Sequence, residues 1–169
     1  MKRTLLIITV SIAAFIALKS CVSHDFGDIT TSNNTDESLF AEITASGFEY
    51  YQSGDLLSPE SPSPHGKFRL RYNDVMIASL DGSGELPSGT AMQPGAIVVK
   101  ELYNDLDQLV LYAVIKKAPG DASAESGQLW AEYALDGDVV VSIEGKGAGC
   151  VDCHASTPNR DRIKTFDLH

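Results

Sequence analysis

Lys67-Phe68-Arg69-Leu70-Arg71-Tyr72 alternates basic and apolar residues. In an extended chain successive side chains point to opposite faces, so Phe68, Leu70 and Tyr72 share one face of a strand and the cations share the other. Asn73-Asp74 ends the run. Outward from this strand the chain repeats the pattern: Ala96 to Tyr103, Gln108 to Lys117, Gly127 to Leu135 and Val139 to Ile143 are rich in β-branched and aromatic residues. Asn104-Asp105, Pro119-Gly120 and Asp136-Gly137-Asp138 separate them as turns, a spacing that suits an antiparallel meander. Glu37 to Tyr51 reads as an amphipathic helix with Leu39, Phe40, Ile43 and Phe48 on its apolar stripe, and Asn73 to Leu80 as a second, short one. Ser58 to Pro64, with prolines at 59, 62 and 64, is an extended connector. The expected class is α+β, an antiparallel sheet with a few flanking helices and a loop carrying the chemistry after the last strand.

That loop holds Cys150-Val151-Asp152-Cys153-His154, a C-x-x-C-H motif. Two thiols at this spacing can add to the two vinyl groups of a haem, and the adjacent imidazole can bind its iron. A thioredoxin-like redox pair would be expected near a βαβ pattern, and a zinc site needs a further pair of ligands at comparable spacing. Neither context is present. The cofactor expected is one covalently attached haem c, held by Cys150, Cys153 and His154, with His154 as the metal ligand.

The amino terminus agrees with export. Met1-Lys2-Arg3 is a short positive region, and Leu5 to Leu18 is apolar except for Thr9 and Ser11, too short for a comfortable membrane span. Residues 1–20 read as a signal peptide, placing the protein in the periplasm or elsewhere outside the cytoplasm. Leu18-Lys19-Ser20-Cys21 is similar to a bacterial lipoprotein box, although Lys19 departs from it; lipidation of Cys21, with attachment to a membrane, ordinary cleavage nearby and a retained anchor all stay open. Residues 21–38 are polar and read as a tether, leaving 39–169 as one domain. The formal charge of −10 disfavours a nucleic-acid partner.

The order of elements restricts the kind of haem protein. Small electron-transfer cytochromes place the attachment motif early and close the sixth coordination site with a downstream methionine. Here only Ala155 to His169 follow the motif, with no methionine among them. Upstream candidates for a sixth ligand are Met76, Met92, His65 and His24. Met76 reads as core packing and Met92 lies in a Gly- and Pro-rich loop; His65, in Pro64-His65-Gly66, reads as a loop hydrogen-bonding residue. The distal site is expected to be open to small ligands.

Met92-Gln93-Pro94-Gly95-Ala96-Ile97-Val98-Val99-Lys100-Glu101-Leu102-Tyr103, a later strand bearing Trp130 and the late C-x-x-C-H together resemble cytochrome P-460 and its relative cytochrome c prime beta, over roughly His65 to the carboxyl end. The resemblance implies an exported, β-rich, commonly homodimeric haem protein. One branch oxidises hydroxylamine and delivers electrons to a redox partner protein; the other binds nitric oxide or carbon monoxide without a settled catalytic task. It also implies that Lys100 contacts the haem edge, covalently in the catalytic branch, and that Glu144, in the region where catalytic relatives carry an acid, accepts protons. Read from the residues alone, Lys100 shares a strand face with Val98 and Leu102, so its ammonium interrupts an apolar row. Glu144 on the same basis is a solvated loop acid. Arg69 or Arg71 could pair with haem propionates, though exposed strand cations are the plainer reading. Simple electron transfer, which needs a strong sixth ligand, is the third functional class.

Overall fold

The computed structural model describes residues 34–59, 63–156 and 160–167. The signal segment 1–20, Cys21 and His24 lie outside them. Six strands form one antiparallel sheet in the order β1-β2-β3-β4-β5-β6, each paired with its neighbour in sequence. They are β1 (Phe48–Tyr50), β2 (Lys67–Asn73), β3 (Ile97–Tyr103), β4 (Leu109–Lys117), β5 (Gln128–Tyr133) and β6 (Val139–Val141). Among the described residues three α-helices accompany them, α1 (Asp36–Thr44) before β1, α2 (Asp74–Ile77) between β2 and β3, and α3 (Val151–His154) after β6. The class is the α+β meander expected, with strand limits shifted by one to two residues at most ends.

Alternation in the sequence becomes two cores. Phe68, Leu70 and Tyr72 of β2 and Val98 and Leu102 of β3 are buried on one face, with Leu111, Ala113 and Ile115 of β4 packed against them. Ile97 and Val99 of β3, Val114 of β4 and Leu129, Ala131 and Tyr133 of β5 are buried on the other, under Leu39 and Ile43 of α1. Helix α1 therefore covers the second face. The first is left for the carboxyl-terminal segment, whose Ile163 and Phe166 join the first core.

The helix read as 37–51 is shorter at its far end and starts earlier. The helix stops at Thr44, with Ala45 already extended, and after Gly47 (φ +101°) Phe48 leaves the apolar stripe to become the first residue of edge strand β1, paired with Asn73. At the near end Thr35 and Ser38 cap each other's backbone N–H groups, so the folded unit begins before residue 39. Asp36 then accepts from Tyr133 Oη (3.1 Å), Ser142 Oγ (2.6 Å) and Ile143 N (3.1 Å), fastening α1 to β5 and to the turn after β6. The last four or so residues of the expected tether are thus structural.

Arg69 and Arg71 correct the propionate reading. Their side chains stand on the α1 face, away from Phe68 and Leu70. Arg71 Nε pairs with Glu101 at 2.6 Å, and the guanidinium lies over the rings of Phe48 and Tyr112. Tyr103 Oη donates to the same carboxylate at 3.0 Å and Tyr50 Oη approaches it at 3.3 Å, while Arg69 donates to Tyr103 Oη. Glu101, only 4% exposed, is the centre of a buried polar cluster.

Candidate functional site

On the first face of the sheet lies a cavity of about 350 Å³. Its floor is apolar, made by Phe68 and Leu70 of β2, Val98 of β3, Ala113 and Ile115 of β4 and Trp130 of β5. Its cover comes from elsewhere in the chain: the connector before β2 supplies Pro64 and His65, the loop around α3 supplies Cys150, Cys153 and His154, and the tail supplies Ile163, Lys164 and Thr165. Lys100 and Glu132 are the charged groups on the strands beneath. Cys150, Cys153, His154 and Lys100 are therefore brought together as the sequence led one to expect.

Helix α3 sets the spacing of the motif. His154 N bonds to Cys150 O, one helical turn back, so thiol and imidazole are held on one short turn. The two thiols are not joined to each other. His154 Nδ1 lies 2.7 Å from Arg162 O. A carbonyl only accepts, so Nδ1 carries the proton and the lone pair belongs to Nε2, the tautomer suited to binding a metal. Arg162 is held in turn by the tail: Asp161 and Arg162 have φ of 49° and 67°, Asp161 pairs with Lys117 (2.9 Å), and its carbonyl accepts from the buried Gln128 Nε2 (2.6 Å). The Trp130 ring packs edge-on against His154 with centroids 4.9 Å apart. Gly147 makes room for this, since a Cβ there would come within 2.8 Å of Trp130 and 2.5 Å of Val151.

Burial shapes the charges around the cavity. It lowers the affinity of His154 for a proton, partly offset by the Arg162 carbonyl, and it raises the pKa of Glu132 and of the Cys150 thiol, the latter also through Glu132 and Cys153. His65 is brought down to about 4 by burial and by the charges of Lys100 and His154, so it is neutral in ordinary solution. Lys100 Nζ sits 3.9 Å from the centre of the Phe68 ring, with no carboxylate partner among the described residues. Burial first, then Lys164, lowers its pKa from 10.5 to about 8.

A stability signature follows from that shift. Between about pH 8 and 10.5 the unfolded chain keeps a proton that the folded chain has released, so Lys100 makes stability rise with pH across this window. Below the window the folded chain bears the full cost of a buried ammonium; above it the difference vanishes. Lys100→Met is therefore expected to be more stable than the parent at neutral pH, with the gain fading to nothing by about pH 10.5, as read from urea midpoints across a pH series. A gain independent of pH would contradict a buried amine.

Glu144 is not among the residues that line the cavity. It lies in a 3-10 turn, Ile143–Gly145, with its side chain exposed, because the Ser142 hydroxyl caps that turn and Ile143 takes the buried position. The carboxylate the cavity does contain is Glu132, which sequence reading passed over. Its signal was present: Glu132 is two residues from Trp130 on a strand otherwise buried, the same interruption of an apolar row that marks Lys100. Met76 and Met92 are core residues, 0% and 2% exposed, and neither lines the cavity. Among the described residues no three His, Cys, Asp or Glu side chains converge as a metal-binding group.

The donor set fits a haem on two counts. Both thiols and the imidazole open on one apolar cavity, and two ammonium groups, of Lys100 and Lys164, stand at its walls. No family model matches this chain, and no curated protein matches it.

Proposed function

We propose that this chain is an exported mono-haem c-type cytochrome, similar to cytochrome P-460, that oxidises hydroxylamine or a related small nitrogen species. The observation that carries the reading is the convergence of Cys150, Cys153 and His154 with Lys100 and Glu132 on one apolar cavity. When bound, the haem supplies a redox-active iron at which a small nitrogen compound gives up electrons to a partner protein. The residues of the chain do the rest. Cys150 and Cys153 would hold the macrocycle through thioether bonds, and the Arg162 carbonyl, by keeping the proton on Nδ1, would leave Nε2 as the His154 atom to bind the iron. Phe68, Leu70, Val98 and Ile115 exclude water, which strengthens every charge interaction within.

Glu132 takes the role assigned from sequence to Glu144. Removing electrons from hydroxylamine also removes protons, and a carboxylate whose pKa burial has raised is a better base than a solvated one. Lys100 would stand against the haem, and an amine with a pKa near 8 can take or release a proton beside it near neutral pH. The two polar groups favour turnover over the rival reading, a nitric oxide or carbon monoxide binder, whose pocket would lack a proton acceptor.

Hydroxylamine-dependent reduction of a dye by the mature protein tests this. Turnover is expected, falling on the order of a hundredfold in Glu132→Gln. A ferrous absorption band shifted strongly to the red would identify a Lys100 crosslink. An ordinary high-spin spectrum with no dye reduction would replace the enzyme by the gas binder, and a low-spin spectrum without turnover by an electron-transfer protein.

A further inference from the structure

His65 reads from sequence as a loop residue, yet its side chain lines the same cavity as Lys100 and His154. The fold puts it there by clamping the connector at both ends. Leu57 exchanges two backbone hydrogen bonds with Phe68 (2.8 and 2.9 Å), pulling the start of the connector onto β2, and Lys67 opens β2 itself. Between them the chain turns, with His65 N bonded to Ser63 Oγ at 3.1 Å. The imidazole has no hydrogen-bond partner among the described residues, although it is largely withdrawn from solvent. Its ring nitrogens are not shut off by protein, so they can meet water or a ligand that enters the cavity.

The two imidazoles enter from different parts of the sheet. His154 rests on Trp130 of β5, whereas His65 immediately precedes β2. Both line the one cavity, near enough that the His154 charge acts on His65. A neutral imidazole offers one donor and one acceptor, which suits hydroxylamine, with both, and nitric oxide, which accepts.

We propose that His65 forms a hydrogen bond with the small molecule held in this cavity, lengthening its stay and selecting ligands that can donate or accept. This rests on the haem reading above. The test uses the mature haem-loaded protein and its variants His65→Leu and His65→Gln, with carbon monoxide and nitric oxide as probes. In His65→Leu the C–O stretching frequency of the ferrous carbonyl is expected to rise and nitric oxide to dissociate about fivefold faster, the effect of losing one hydrogen bond. His65→Gln, which keeps a donor and an acceptor, is expected to stay near the parent. An unchanged frequency and rate in His65→Leu would overturn the proposal. So would a low-spin resting spectrum that becomes high-spin in His65→Leu, because His65 would then bind the iron itself. Protein carrying no covalent haem, recognised by its lack of colour before any probe is added, would instead overturn the cofactor reading, and this inference with it.

Discussion

Serine at both Cys150 and Cys153 is expected to abolish covalent haem attachment, leaving a chain of unmodified mass that stains for no haem after denaturing electrophoresis. A hydroxyl is a far poorer nucleophile than a thiol, so neither vinyl group is captured. The two thiols line one cavity and are not consumed by a disulfide with each other. Single variants are expected to retain one thioether at lower yield. His154→Ala is a different loss: attachment can proceed, but the imidazole whose Nδ1 is oriented by Arg162 is gone, and the spectrum is expected to change from that of a histidine-ligated iron. Full haem content in the double serine variant would refute the thioether assignment while leaving the fold intact, since neither cysteine is buried.

Glu101→Ala is expected to cost roughly 3–5 kcal/mol of folding stability, the usual penalty for removing one partner of a buried ion pair. The Glu101 side chain is 6% exposed, and its removal strands the Arg71 guanidinium, whose side chain is 12% exposed, and takes an acceptor from the hydroxyl of Tyr103. Glu101→Gln preserves acceptors for the tyrosines and loses only the charge, so a smaller loss is expected. Urea unfolding of the two variants reads both values. The cost has a consequence for the site, because Glu101 and Lys100 are consecutive on β3 and face opposite sides. The strand that carries Lys100 into the cavity is held from behind by Glu101 and Arg71. A loss below about 1 kcal/mol in Glu101→Ala would mean that the pair behaves as a solvent-screened surface bridge.

Which parts of this molecule were legible in its sequence follows from the range of the interactions involved. The strands could be read because burial on one face imposes a period of two on the residues themselves, as in Lys67 to Tyr72. The end of α1 could not, because Phe48 stands eight residues from Phe40, a spacing that a continued helix would place near the same face, while its actual conformation is decided by the extended backbone after Thr44 and by pairing with Asn73 on a distant strand. Lys100 announced itself by interrupting an apolar row. Glu132 did so equally, but the proton-accepting role came to Glu144 from the family resemblance, while its own residues read as a solvated loop acid, and it stands exposed in the turn capped by Ser142. His65 carried no local signal at all, since its place depends on the bridge between Leu57 and Phe68. The Arg162 carbonyl that orients His154 is a backbone atom, and backbone atoms are invisible to residue patterns.

The most direct test of the central claim is the intact mass of the mature protein, produced in cells that attach haem outside the cytoplasm, together with its peptide map. The account predicts a mass greater than the processed polypeptide by one haem, carried on the peptide that contains Cys150 and Cys153, with neither thiol open to alkylation. A chain of bare polypeptide mass whose two cysteines alkylate freely, or are joined to each other, would contradict it.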